Sequence, residues 1–312
     1  MRGRRLPLWA VNLTLRALVR SSLALVPTPH RMRANFEARA PKVLRPPEGS
    51  RFEPVEIPGA RGPIPALWCR LGATDEGAAI LYLHGGAYIA GSTRTHRHLA
   101  AALSGAAGLP VLLPDYALAP EQPFPAALED ARAAHGYLLE RRAPERLGLG
   151  GDSAGGGLAA ALLLRAARTG LPAPGAAVFF SPWVDQTIRA ESLRRNARAD
   201  AMLPVRRMPE VVETYLQGHD PSDPEASPVF GRYAAPPPAL ILAGAREILA
   251  DDATGLARAL EASGGVVELA LTPRVPHAWP VLAGLLAEAD AAVARAGRFF
   301  AGHLGTGPRG PG

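Results

Sequence analysis

The most informative segment of this chain reads 146-RLGLGGDSAGGGLAAALLLRAAR-168. A short apolar run leads into the turn 151-GDSAG-155, and an Ala/Leu-rich helical stretch follows it. So tight a turn between a strand and a helix strains its central residue, and the glycines on either side remove side chains that would collide. Ser153 would stand at a helix N-terminus, where free N–H groups favour developing negative charge. The pattern predicts a nucleophilic serine; the alternative is a serine that caps a helix in a glycine-rich turn.

Apolar runs and amphipathic stretches alternate on both sides of this segment. Extended segments are predicted at 52–57, 64–70, 78–85, 110–116, 146–152, 176–181, 239–244 and 266–272. Helices are predicted at about 95–107, 125–141, 154–168, 252–263 and 280–302. The first two extended segments resemble a hairpin, and continuous apolar strands separated by helices are typical of a parallel sheet covered on both faces. We therefore expect an α/β fold with a mostly parallel eight-stranded sheet and flanking helices.

The alternation stops between residues 183 and 235, a region rich in Arg, Pro and Asp with a helical piece at 209–216. Because strands precede and follow it, this region is predicted to be an insertion in a single domain spanning residues 1–312. An insertion at the C-terminal edge of parallel strands lies over the place where open α/β sheets bind ligands. A lid is therefore expected. The tail, 304–312, is predicted to be disordered.

The composition of the chain bears on two questions: whether it binds nucleic acid, and in which cellular compartment it works. The chain has 312 residues, 48% of them hydrophobic, and a formal charge of +6. Its arginines are mostly scattered and form no known nucleic-acid-binding motif, so no nucleic-acid partner is expected. The single cysteine, Cys69, allows no internal disulfide and no cysteine metal cluster, and it is expected to fill the core. A chain with a single cysteine fits a reducing compartment, and we expect a cytoplasmic protein.

The N-terminal segment 1–26 has a basic start and a leucine-rich body, which imitate a secretion signal. Arg16 and Arg20 interrupt the apolar body, and its uninterrupted length is too short to span a bilayer. We expect an amphipathic helix that packs on the protein. Attachment to a membrane surface is the alternative.

A second glycine-rich motif, 84-HGGAY-88, directly follows the strand that ends near Leu83. Acyl transfer passes through an oxyanion that needs backbone N–H donors, and glycines allow the backbone to approach closely. Gly85 and Gly86 are the donors expected from this loop, and the amide of Ala154 is expected to complete the oxyanion hole. His84 is expected to anchor the loop.

A general base is the third requirement. Of the eight histidines, His277 lies in the loop 273-PRVPHAWP-280 between the last strand and the last helix. The order serine, acid, histidine is the one found on α/β sheets with a nucleophile on a strand-to-helix turn, and Ser153 followed by His277 obeys it. A neutral imidazole there can take the serine proton and return it to the leaving group.

Seven motifs together give this chain a family resemblance. They are 84-HGGAY-88, 115-DYALAPEQPFPAALEDA-131, 151-GDSAGG-156, 181-SPWVD-185, 227-SPVFG-231, 247-EILADDA-253 and 277-HAW-279. In this order the chain resembles the hormone-sensitive-lipase family of α/β-hydrolases, in its bacterial esterase branch. The resemblance implies an α/β-hydrolase fold with a helical cap made of about 1–45 and 183–235. It also implies a small-molecule carboxylic ester as substrate, with no metal or organic cofactor.

The resemblance also points to the acid. The first carboxylate of 247-EILADDA-253 matches the family's catalytic acid, which makes Glu247 the expected partner of His277, with Asp251 as the alternative. Glu247 follows the apparent strand end at Gly244 by three residues, whereas Asp251 and Asp252 fall where the next helix begins and are expected to act as N-caps. Glu replaces the Asp often found there, and Ala87 replaces the third glycine of the oxyanion motif.

The expected function is hydrolysis of small to medium esters, with short acyl chains or lactones, through an acyl-enzyme on Ser153, Glu247 and His277. The residues expected near the substrate pocket are Tyr88, Trp183, Tyr215 and Trp279. Two alternatives stay open: an amidase or transacylase on the same scaffold, and a small-molecule receptor that does not hydrolyse. Similar enzymes often form dimers, so a homodimer is a further alternative to a monomer.

Overall fold

The eight predicted extended segments form the strands of one sheet. The computed structural model describes residues 5–25 and 28–305. The strands are β1 (Ser50–Ile57), β2 (Ile64–Leu71), β3 (Ala79–Leu83), β4 (Val111–Pro114), β5 (Leu147–Asp152), β6 (Ala176–Phe180), β7 (Ala239–Gly244) and β8 (Val267–Thr272). They are ordered β1-β2-β4-β3-β5-β6-β7-β8, with β2 antiparallel to both β1 and β4 and all other pairs parallel. The mostly parallel sheet and its opening hairpin are therefore confirmed.

Helices flank the sheet and also precede and interrupt it. They are α1 (Leu8–Thr14), α2 (Ser21–Leu25), α3 (Pro29–Val43), α4 (Thr93–Ala107), α5 (Ala126–Leu139), α6 (Ala154–Arg168), α7 (Glu191–Arg195), α8 (Met208–Leu216), α9 (Ala250–Ala262) and α10 (Ala287–His303). A π-helical segment, Leu15–Arg20, joins α1 to α2. The last helix begins seven residues later than predicted, because the 3-10 turn Trp279–Leu282 and Gly284, at φ 86°, interrupt the helical pattern.

The core has two layers, one on each face of the sheet. All five residues of β3 are buried, and they alternate between the layers, which is why the strand reads as a continuous apolar run. Side chains of α5, α6 and α9 pack in the first layer, and those of α4 and α10 pack in the second. The insertion contributes to the first layer through apolar residues that include Leu193 and Tyr215.

The N-terminal helices contact the insertion and the loops at the sheet edge. Arg20 donates hydrogen bonds to the carbonyls of Ala197 and Asp200. Farther along, Arg33 of α3 donates to the carbonyls of Ile89 and Ala119. These bonds tie the first 45 residues to the insertion, to the residue that follows the glycine-rich loop at 84–88, and to the loop at Ala119.

The expected packing of the N-terminal helix on the protein holds for one of its faces. Val11 of α1 is buried in the second layer, whereas Trp9 and Leu13 are exposed. Residues 1–4 and 26 of the predicted segment lie outside the described residues. Within the part of the chain that is described, no helix has the length and apolar character needed to cross a bilayer.

The predicted disordered tail overlaps the described chain by two residues. Leu304 is buried, and its amide donates to the carbonyl of Phe300, so disorder does not begin there. The rest of the predicted tail, 306–312, lies outside the described residues.

Candidate active site

Ser153 lies on the sharp turn between β5 and α6. Its dihedral angles, φ 53° and ψ −122°, fall in a region that residues with side chains rarely adopt. A side chain at position 155 would overlap the carbonyl of Leu83, and one at position 151 would overlap the backbone of Gly155. The amide of Ser153 donates to the carbonyl of Phe180, at 2.9 Å, which helps to hold the turn. The glycines therefore allow the strained turn to sit against its neighbours.

Three predicted residues form one chain of hydrogen bonds. Nε2 of His277 lies 2.8 Å from Oγ of Ser153, and its Nδ1 lies 2.7 Å from Oε2 of Glu247. The other carboxylate oxygen of Glu247 accepts a 2.9 Å hydrogen bond from the amide of Gly244. His277 and Glu247 are buried, while Ser153 is partly exposed. The structure thus joins residues separated by up to 124 positions in sequence.

Burial and charge act in opposite directions on this pair. Burial disfavours the imidazolium, but the hydrogen bond and the charge of Glu247 outweigh it and raise the pKa of His277 above its usual value. Burial also raises the pKa of the Glu247 carboxyl, and the hydrogen bond to His277 offsets part of that rise. Glu247 therefore stabilises a protonated His277, the species that forms when an imidazole accepts a serine proton.

The other two acids of this turn hold the insertion. Asp251 accepts hydrogen bonds from the amide of Ser192 and from Arg195, both at 2.7 Å. Asp252 accepts from the amides of Val184 and Asp185, at 2.9 and 3.0 Å. The expectation that these acids are N-caps is wrong, since the N-cap of α9 is Leu249 and no side chain caps it. Hydrogen bonds to a distant segment have overridden the local preference.

Two residues of the insertion support the backbone around Glu247. The side-chain amide of Asn196 donates to the carbonyl of Glu247 at 2.9 Å. A carboxylate oxygen of Asp200 accepts from the amide of Ile248, also at 2.9 Å. Sequence reasoning missed both residues, which lie in an irregular Arg-rich region without a motif.

The predicted oxyanion donors need one correction. The amide of Gly85 donates to Oδ1 of Asp152, at 3.0 Å, and so it is not free to bind substrate. Within the described residues, no acceptor is found for the amides of Gly86, Ala87 and Ala154. The reason is a distant partner: the carboxylate of Asp152, 67 positions along the chain, lies within hydrogen-bond distance of the Gly85 amide and occupies it.

Asp152 is the centre of a buried polar cluster below the glycine-rich loop. Its Oδ1 also accepts from the hydroxyl of Tyr82, at 3.0 Å, and lies 3.6 Å from Nε2 of His96. Burial opposes the charge of Asp152, but His96 and Tyr82 outweigh burial and lower the pKa of its carboxyl. The sequence analysis did not assign this role to Asp152. Its position directly before the expected nucleophile could have indicated that the carboxylate lies close to the site.

His84 lies in the same region, with its Nδ1 2.9 Å from the carbonyl oxygen of Gly85. Complete burial lowers the pKa of His84 to about 3, so the ring is neutral near pH 7. The hydroxyl of Tyr116 donates to the carbonyl of His84. These contacts fit the expected anchoring role.

Three of the four expected pocket residues lie together. The rings of Tyr88 and Tyr215 stack with centroids 3.8 Å apart, and the ring of Trp183 lies 5.9 Å from that of Tyr88. Trp279 is apart from them, buried in the second core layer, with its indole N–H donating to the carbonyl of Glu288. The structure therefore separates Trp279 from the other three.

Comparisons with known proteins identify the family of this chain. The profile of the alpha/beta hydrolase fold family matches residues 80–281. An acetyl-hydrolase of Streptomyces hygroscopicus is 42% identical over 243 residues, which are 78% of this chain and 81% of that protein.

Solved structures extend the similarity to nearly the whole chain. EstE5, in crystals soaked with p-nitrophenyl butyrate, has a TM-score of 0.90 at 36% identity, covering 96% of this chain and 98% of its own. An esterase from the bacterial hormone-sensitive lipase family has a TM-score of 0.88 at 36% identity, covering 95% and 98%. With its sheet, its strained serine turn and these relatives, the chain belongs to the α/β hydrolase fold family and, within it, to the hormone-sensitive-lipase group of bacterial esterases.

Proposed function

We propose that this esterase hydrolyses small to medium carboxylic esters with Ser153 as nucleophile, His277 as general base and Glu247 as the acid that orients His277. The observation that carries the proposal is the continuous hydrogen-bond chain from Oγ of Ser153 through the imidazole to Glu247. Nδ1 must carry a proton to donate to the carboxylate, so Nε2 is the nitrogen left to accept the serine proton.

The reaction proceeds in two acyl-transfer steps. Oγ of Ser153 attacks the ester carbonyl as its proton passes to Nε2 of His277, and the carbonyl oxygen becomes an oxyanion. The free amides of Gly86 and Ala154, together with that of Ala87, stabilise this oxyanion, and Ala154 adds the favourable dipole of a helix N-terminus. His277 then protonates the leaving alcohol. A water molecule repeats the sequence on the acyl-enzyme and releases the acid.

The proposed substrates have short acyl chains or are lactones. The acetyl-hydrolase name of one relative and the p-nitrophenyl butyrate soaked into EstE5 support a short acyl group. The stacked rings of Tyr88 and Tyr215 and the neighbouring Trp183 limit the space beside α6, whose residue 157 has no room for a side chain against Trp183 and Tyr88.

We further propose that residues up to about 45 and the 183–235 insertion form a cap over this site. The bonds of Arg20 to Ala197 and Asp200 support a joint structure of the two segments. The proposal includes a cytoplasmic location, which the single cysteine supports because the fold needs no disulfide.

Hydrolysis of p-nitrophenyl esters tests the proposal directly. We expect turnover of the acetate and the butyrate, a decline for longer acyl chains, and loss of turnover in Ser153→Ala. The matched anilide, p-nitroacetanilide, distinguishes an amidase, and added short alcohols distinguish a transacylase. The proposal fails if the wild type shows no turnover that depends on Ser153, or if the anilide is cleaved faster than the ester.

A further inference from the structure

The stretch from Leu6 to Leu25, which comprises α1, the π-helical segment and α2, exposes five large apolar side chains. They are Leu6, Trp9, Leu13, Leu18 and Leu25, each between 51% and 80% exposed. We call these five residues the outer face. Large apolar side chains exposed singly are ordinary, but a contiguous apolar helix face on a protein surface marks a site of interaction.

The opposite side of the same helix is firmly attached to the protein. Val11 is buried, and Leu8 and Leu15 pack beside it in the second core layer. The two arginines, Arg16 and Arg20, donate to backbone carbonyls of residues 197–200. Arg16 and Arg20 thus bind the protein while the leucines of the outer face are exposed, which departs from the usual arrangement of a surface helix. The outer face cannot turn inward without breaking these bonds.

The charge of this part of the chain identifies its partner. Residues 1–45 contain ten lysines and arginines and one acidic residue, Glu37, which gives a formal charge of +9. The whole chain carries +6, so residues 46–312 carry −3. The net positive charge of the chain therefore comes from its first 45 residues, which include the outer face.

We propose that the outer face docks on an anionic lipid surface. An exposed tryptophan and leucines on a helix flanked by basic residues fit the boundary between acyl chains and anionic headgroups, where apolar burial and charge attraction act together. A second copy of this chain fits the same face poorly, because it would bring a second segment of charge +9 against the first. Docking does not require the helix to unfold or leave the protein.

Trp9 provides a direct probe of docking. It is 71% exposed, whereas the other three tryptophans, Trp68, Trp183 and Trp279, are buried. Vesicles of phosphatidylcholine with about 30 mol % phosphatidylglycerol are compared with pure phosphatidylcholine vesicles, by cosedimentation and by quenching of Trp9 by brominated acyl chains. The test variant is Leu13→Gln/Leu18→Gln, which keeps Trp9. The control is Val266→Gln/Leu271→Gln, which changes exposed apolar side chains at the β8 edge of the sheet.

We expect wild type and the β8 control to bind the anionic vesicles, with quenching of Trp9, and to bind pure phosphatidylcholine at least tenfold more weakly. The Leu13/Leu18 variant should lose about tenfold or more in vesicle partitioning while keeping wild-type turnover of p-nitrophenyl butyrate, which shows that it is folded. Raising the salt to about 0.5 M should weaken binding, because charge attraction is then screened within a few ångströms.

Three results would overturn the proposal. One is the absence of binding to anionic vesicles at low salt, and another is binding that the Leu13/Leu18 variant leaves unchanged. The third is a wild-type dimer that this variant converts to a monomer, which would mean that a second copy covers the outer face. Because ester turnover is measured separately, each of these results leaves the catalytic proposal standing.

Discussion

Nδ1 of His277 lies 2.7 Å from a carboxylate oxygen of Glu247, and both side chains are buried. The nearby Asp251 is engaged elsewhere, with Ser192 and Arg195. One acid of the turn is thus bound to the imidazole, and another holds α7.

The two acids should respond very differently to loss of charge. In the proposed mechanism Glu247→Gln removes the negative charge that stabilises the imidazolium of His277 and places an amide where Nδ1 needs a carboxylate, so kcat should fall by about 10²- to 10⁴-fold. Asp251→Asn should change kcat by no more than about threefold, since it alters a contact to α7. Steady-state kinetics with p-nitrophenyl butyrate make the comparison. The opposite ranking would assign the acid to Asp251.

The pH profile should report the raised pKa of His277. In the proposed mechanism the neutral imidazole is the active form, so kcat/KM should decline on the acid side of an apparent pKa above the usual histidine value of about 6.5. In Glu247→Gln the raising charge is gone and burial alone acts, so the residual activity should decline only at lower pH. An acid limb at the same pH in both enzymes would contradict this account.

Asp152 should act as a positioning residue for the glycine-rich loop. Asp152→Ala removes the acceptor for the Gly85 amide and displaces the neighbouring amides, so kcat should fall by about 10- to 10²-fold with KM nearly unchanged. Tyr82→Phe is the matched control, because it removes the other hydrogen bond to the same oxygen and leaves the Gly85 bond in place. It should lower stability by about 1 kcal/mol and leave kcat near wild type. Equal losses of kcat in both variants would point to a general packing effect.

Cys69 should be inert in the folded protein. The thiol is fully buried, and burial raises its pKa to about 12, so almost no thiolate exists at neutral pH. Labelling with a thiol reagent should be on the order of 10²-fold slower in the native protein than in urea. Rapid labelling without denaturant would show that Cys69 is reached from solvent.

Local patterns predicted the parts of the molecule that depend on local geometry. The turn around Ser153 needs small residues at fixed offsets, and a parallel sheet buried on both faces needs continuous apolar strands, so both left readable patterns. His277 was identifiable because it lies in the loop after the last strand. The hormone-sensitive-lipase resemblance, confirmed by the comparisons, then pointed to Glu247 among three nearby acids.

Features that depend on distant contacts were not predictable in this way. The direction of the Gly85 amide depends on the backbone angles of the loop and on Asp152, which lies 67 positions away. Asp251 and Asp252 resembled N-caps, yet their partners lie in the insertion, and hydrogen bonds to those partners outweighed the local preference. Single residues in an irregular segment, such as Asn196, carry no periodic pattern at all.

The bonds from Asn196 and Asp200 to the turn of Glu247 limit how this enzyme can be re-engineered. Exchanging residues 183–235 for the corresponding part of a relative is an obvious way to alter substrate preference. Such a chimaera would also exchange the groups that hold the backbone of the acid. A graft that retains an amide side chain at 196 and a carboxylate at 200 keeps Glu247 aligned with His277, whereas one that lacks them changes reaction rate and substrate preference together.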